Sequence, residues 1–159
     1  MRKEQKANYP ESARGAAALL VRMVLEDGAY TNIALNQYLR GSRLSDLDRR
    51  LATELVYGTV KASGTLDWYL AQCVSRPLDK VAGDILAILR ISTYQLLYMT
   101  RIPASAAVNE AVKLARSVSH EGSAKFVNGV LRGLLRKQEA GAFVLPDAEK
   151  QDADCLSLK

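Results

Sequence analysis

Two cysteines in 159 residues are too few for a disulfide framework, and neither Cys73 nor Cys155 belongs to a CxxC pair or a metal-ligand cluster. Both are expected to be free thiols in a reducing cytosol. Histidine is scarcer still. The single one, His120, falls in a Ser-His-Glu-Gly break, where a solvent-exposed loop histidine is the plain reading, and no serine or cysteine elbow accompanies it. Long apolar runs are also missing. The first, Ala16 to Val21, is six residues long, follows a charged start and stops at Arg22, so neither a signal peptide nor a membrane span is expected. Sustained alternation of apolar and polar residues over strand length is absent, as is any internal repeat. These absences argue against a disulfide scaffold, a metal site, a β-rich fold and hydrolytic catalysis, and no catalytic residue is expected.

What is present is an apolar fraction of 48%, enough to build a core and to exclude disorder. Periodicity is helical almost throughout, which predicts an all-α fold. Ala13, Ala16, Leu20, Met23 and Val24 make one stripe of a first helix, which Asn8 or Ser12 can cap and Gly28 can end. A short second helix covers about Asn32 to Arg40. Ser45 precedes a third, carrying Leu47, Leu51 and Leu55, with Arg50 and Glu54 one turn apart and able to pair. A fourth holds Leu66, Trp68, Tyr69, Leu70 and Cys73 and ends before Pro77. The fifth is predicted over Leu78 to Met99, apolar on two adjacent rows and therefore the central, most buried helix. Pro103 opens the sixth, and a break at Ser119 to Gly122 leads to the last. There Val127, Val130, Leu131, Leu134 and Leu135 give the best amphipathic pattern in the chain.

Charge is unevenly spread. Lys and Arg total 22 against 17 Asp and Glu, a net +5. Residues 138–159 carry five acids (Glu139, Asp147, Glu149, Asp152, Asp154) against Lys150 and Lys159, which leaves residues 1–137 at +8. The first 137 residues therefore read as a basic folded domain, and 138–159 as an acidic linker. Within the last helix Lys125, Gly129, Arg132 and Arg136 stand at offsets 0, 4, 7 and 11, which places them within about 60° on the side opposite the apolar stripe. Asn128 lies at the edge of this row. Lys113, Arg116 and His120 form a second row on the sixth helix that extends the patch. Arg2, Lys3, Lys6 and Arg14 add charge near the start, with Tyr9 among them as a stacking surface. Such a patch points to an anionic polymer, with phosphate contacts from Arg and Lys.

Other polar residues have plainer expected roles. Asp46, Asp48 and Asp67 read as helix-start acids that compensate the helix dipole. Gly129 and Gly133, spaced as GxxxG without a preceding strand, are expected in close helix packing and not in a dinucleotide fingerprint. Trp68, Tyr69, Tyr94 and Tyr98 read as core residues whose polar ends reach the surface, and Asn109 with Glu110 as a buried polar clamp.

FVNGVLR from Phe126 to Arg132, IPASAAVNEAVKLA from Ile102 to Ala115 and LRISTYQLLY from Leu89 to Tyr98 together resemble the NusB-like family. The resemblance runs from Ser12 to Lys137 and implies a bundle of about seven helices. That family holds free-standing transcription antitermination factors and the N-terminal domains of RsmB-type (Sun/Fmu) methyltransferases, which make 5-methylcytosine in small-subunit ribosomal RNA. DRRLATELVYGT from Asp48 to Thr59, TLDWYL from Thr65 to Leu70 and the acidic tail look like the second group. By this similarity RNA contacts fall on Arg14, Lys125, Asn128 and Arg132, where antitermination factors commonly place an aspartate at the last position. The implied partners are ribosomal RNA and the chain's own C-terminal methyltransferase domain. S-adenosylmethionine is expected in that missing domain and no cofactor in this one, since the sequence has no Pro-Cys dipeptide and no parallel-sheet pattern. Two alternatives stand beside it: a free antitermination factor that binds single-stranded RNA with a ribosomal protein, and a structural module that docks its own catalytic domain.

Overall fold

Ser12 starts the first helix. Its hydroxyl accepts from the Gly15 N–H at 3.0 Å, and the helix, α1 (Ala13–Asp27), ends at Gly28 in the left-handed region at φ 75°. The computed structural model describes residues 8–143; Arg2, Lys3, Lys6 and most of the acidic linker lie outside them. Six more helices follow among the described residues: α2 (Thr31–Arg40), α3 (Asp46–Lys61), α4 (Ser63–Ala71), α5 (Gly83–Tyr98), α6 (Ala104–Val118) and α7 (Glu121–Ala140). No strand occurs among them. The fold is an all-α bundle, as the periodicity predicts. Ser45 caps α3 through the Asp48 N–H at 3.1 Å, with Asp46 and Asp48 in the first turn.

The core runs through the middle of the bundle. Leu19, Leu20, Leu55, Ile88, Leu89, Ile91, Leu131 and Leu134 are fully buried, and each such side chain contributes about 1.5–3 kcal/mol relative to exposure. Helix α5 is buried nearly all round, from Ile85 to Gln95, and packs on α1, α3, α4, α6 and α7. This is the central helix that its two apolar rows predict.

The start of α5 departs from the prediction. Leu78–Lys80 form a separate 3-10 turn, Val81 is extended, and the α-helix begins only at Gly83. The cause is tertiary. Glu26 of α1 sits against Gly83 so closely that a Cβ there would strike its carboxylate, and Asp84 in the same first turn receives Arg22 of α1 and the Tyr9 hydroxyl. Arg22 also holds Glu26 at 2.9 Å. Tyr9 is thus 6% exposed and committed to the interior; the stacking surface expected of it does not exist. Burial and the neighbouring Asp84 carboxylate push its phenol pKa up.

Other expectations change for similar reasons. Asp67 lies in the middle of α4 and receives Arg90 of α5 at 2.8 and 2.9 Å, so it joins two helices instead of compensating a dipole. Glu54 pairs with Arg101 at 2.6 Å and not with Arg50. Tyr98 is 46% exposed and stacks on Tyr94, at 5.2 Å between ring centroids. The break before α7 is shorter than predicted because His120 caps the helix: the Ser123 N–H donates to its Nδ1 at 3.3 Å, and Gly122 is already helical. At the other end α7 continues past Lys137 to Ala140 and closes on Gly141, at φ 63°. Phe143 then packs edge-on against Tyr69 at 4.8 Å and near Trp68 at 6.3 Å. The first residues beyond Lys137 therefore belong to the bundle.

Replacing Tyr9 by Phe removes a partly buried bond to a charged acceptor and is expected to cost about 1.5–3 kcal/mol, measured by urea unfolding. The raised phenol pKa also sets a sign. Its stabilisation is complete below the unfolded tyrosine pKa, near 10, and is lost as pH rises toward the higher folded value. The Tyr9→Phe variant should lack that alkaline loss.

Candidate nucleic-acid interface

Five residues of α7, Ala124, Val127, Val130, Leu131 and Leu134, turn inward and are buried. With 3.6 residues per turn this decides what faces out. Lys125, Gly129, Arg132 and Arg136 are all exposed. None of the three cations forms a salt bridge with a described carboxylate. Arg132 is instead steadied by a neutral partner, donating from Nε to Asn128 Oδ1 at 3.0 Å one turn earlier. The guanidinium keeps its full charge while its flexibility is reduced, which lowers the ordering entropy that phosphate binding costs.

Gly129 does not pack against a neighbouring helix. A Cβ built on it meets nothing within 4 Å, and at Gly133 the nearest atom is the Arg136 guanidinium at 3.8 Å. The expected close helix packing is therefore absent, and the two glycines leave bare backbone beside the cations.

Next to this ridge, α6 and α7 enclose a concavity of ≈ 600 Å³ lined by Asn109, Glu110, Lys113, Arg116 and Asn128, among others. Asn109 is exposed there, so the buried clamp expected of it is not formed. The two cations of α6 are partly neutralised by their own chain. Lys113 Nζ lies 3.6 Å from Glu110. Arg116 meets Glu121 fork to fork at 2.6 and 3.2 Å, a bidentate geometry. That hydrogen bonding raises the Arg116 pKa and lowers that of Glu121.

Arg14 stands apart from these groups. It is half-buried on α1, donates from Nε to the buried Gln95 Oε1 at 2.9 Å, and lines a different concavity with Leu51, Met99 and Arg101. The structure thus brings Lys113, Arg116 and Asn128 together beside Lys125, Arg132 and Arg136, and leaves Arg14 separate. Two cations passed over in the sequence, Arg76 and Lys80, approach α7 from its other side, and Arg76 lies 4.8 Å from the Phe126 ring centroid. Arg76 sits in the connection between α4 and α5, outside the predicted helices, and Lys80 in the 3-10 turn where the fifth helix is expected to start.

The NusB family model matches residues 11–136. The chain belongs to the NusB family. In Synechocystis sp., a probable ribosomal RNA small subunit methyltransferase B is 42% identical over 139 residues, which cover 87% of this chain and 31% of that relative. The transcription antitermination protein NusB of Shewanella loihica is 34% identical over 103 residues, 65% of this chain and 77% of that protein. Among solved structures, a chain from the crystal structure of antitermination factors NusB and NusE in complex with dsRNA matches with a TM-score of 0.71 at 19% identity, covering 85% of this chain and 98% of that one. That last likeness shows the fold alone. This NusB-family chain spans about a third of the length of the methyltransferase B relative.

The Arg116–Glu121 pair offers a direct test of the site's electrostatics. Glu121→Gln removes an anion and releases Arg116, so the affinity of this surface for a single-stranded polyanion should rise and its salt dependence should steepen by about 0.7 in log slope if Arg116 gains one phosphate. Fluorescence anisotropy at several salt concentrations measures both.

Proposed function

We propose that this NusB-family chain is a non-catalytic RNA-holding domain of a ribosomal RNA small-subunit cytosine-5 methyltransferase, working in the cytoplasm. One observation carries the reading: Lys125, Arg132 and Arg136 form an exposed cationic ridge, opposite the buried side of α7, and none of them is in a salt bridge with a described carboxylate. Asn128 at its edge and Lys113 and Arg116 in the adjoining concavity complete the surface. Arg14 is a separate, outlying contact. Capture is electrostatic: cations release counterions on meeting phosphates, and this positions the strand without reading its sequence. Support for the substrate comes from the name of the Synechocystis relative and from the solved complex with dsRNA.

Methyl transfer itself belongs elsewhere in this reading. Gly129 and Gly133 lie inside α7 with no strand before them, so they do not form a dinucleotide-type glycine turn. Residues 1–137, extended by the last turn of α7 and Phe143, form the RNA-holding unit, and the acidic residues beyond lead to the catalytic domain.

A second reading has its own support, because the Shewanella antitermination protein is matched over 77% of its length. In it the chain is a free factor that binds single-stranded RNA together with a ribosomal protein. A coding sequence that continues past Lys159 into a cofactor-binding domain favours the first reading, and a stop codon there favours the second.

The RNA interface is tested by changing Lys125, Arg132 and Arg136 to Ala and titrating a single-stranded small-subunit ribosomal RNA fragment at two ionic strengths. Binding should weaken, and the log–log salt slope should flatten by about 0.7 to 1 for each cation removed. An unchanged slope would mean that the module only docks other protein.

A further inference from the structure

We infer that a phosphate of the bound RNA is held by Arg76 and Lys80 in a second concavity, on the flank of α7 away from Asn128; this rests on the RNA-holding reading above. The concavity, ≈ 520 Å³, has Arg76 and Lys80 from the α4–α5 connection on one side, Ser119, His120 and Ser123 from the start of α7 and the turn before it on the other, and an apolar wall that includes Ile85 and Phe126. No carboxylate lines it. Arg76 and Lys80 are both exposed, and neither forms a salt bridge with a described residue. The acid between them in sequence, Asp79, faces another concavity with Glu26 and Arg90. The nearest acid on α7, Glu121, is occupied by Arg116. A hollow that carries two cations in no salt bridge and no anion is complementary to a phosphodiester.

Its position makes it an extension of the ridge. At 100° per residue, Gly129 and Gly133 fall within about 40° of one another, between Lys125 on one side and Phe126 on the other, while the His120 ring lies over Gly122. Nothing stands on Gly129, and only the Arg136 guanidinium comes near Gly133. A strand can therefore cross from the ridge to the hollow over bare helix backbone, where side chains would otherwise raise a wall. Arg76 is already oriented by its contact with the Phe126 ring at 4.8 Å, which holds a guanidinium at the rim at low entropic cost. The ridge is thereby flanked on both sides: Lys113 and Arg116 serve one flank with their charges partly cancelled, and Arg76 and Lys80 serve the other uncancelled.

The test compares the full chain with Arg76→Ala/Lys80→Ala and with the Lys125, Arg132 and Arg136 triple variant, using labelled oligouridylate, since phosphate binding needs no particular base. The double variant should bind more weakly, with a salt slope flatter by about 0.7 for each phosphate no longer held, and should melt at the parent temperature. If the double variant binds as the parent while the triple variant is weakened, the hollow is not part of the RNA path and the proposal is overturned, with the ridge left standing. If neither variant changes binding, both fail. Displacement of the RNA by polyglutamate as readily as by unlabelled oligouridylate would also overturn the proposal, since it marks a site for acidic protein. Lys80→Glu touches no described partner and keeps the test decisive if loss of Arg76 disturbs packing on Phe126.

Discussion

The burial of Val127, Val130, Leu131 and Leu134 against α5 and α6 fixes the rotation of α7 about its own axis, and the surface that this protein presents depends on it. Turning the helix by one residue would draw Arg132 toward the core and bring out a leucine. Burying an unpaired guanidinium costs several kcal/mol, and exposing a leucine forfeits about 1.5–3 more. The cationic ridge is therefore as rigidly placed as the core beneath it. No described carboxylate forms a salt bridge with its cations: Glu121 is paired with Arg116 and Glu110 with Lys113, and Glu139 in the last turn of α7 makes none.

A second constraint shapes the other side of the bundle. Tyr9, Arg22 and Glu26 gather around the first turn of α5, with Asp84 at the centre. Carboxylates at a helix start are favoured by its dipole, and here they also tie the beginning of the chain to the central helix. That arrangement sets where α5 begins and turns the preceding residues into a separate connection. The same connection carries Arg76 and Lys80 toward α7. The placement of the second basic hollow thus follows from the way α5 is anchored at its far side by α1.

The organisation of the bundle was largely legible in the sequence, because each helix carries an apolar stripe at helical spacing and several ends are marked by Ser12, Gly28, Ser45 or Pro103. The ridge was legible for the same reason: Lys125, Arg132 and Arg136 are related by local periodicity within one helix. Reading failed where a residue's role depends on a distant partner. Tyr9 looked like an exposed aromatic among cations, yet it is inside because Asp84 accepts the hydrogen bond of its hydroxyl. Asp67 looked like a dipole acid, yet Arg90 lies 23 residues away and beside it. Gly129 and Gly133 have the spacing of a packing motif, but no helix comes to meet them.

The sequence by itself determined the number and polarity of the helices, the apolar side of each, and the basic face of the last, since these follow from 3.6-residue periodicity and local caps. Only the tertiary structure decided which charges survive as free charges. Pairing of Arg116 with Glu121, of Glu54 with Arg101 and of Arg14 with Gln95 depends on interatomic distances of about 3 Å between groups whose spacing in sequence carries no such information. The electrostatic surface offered to a partner is what remains after those pairings.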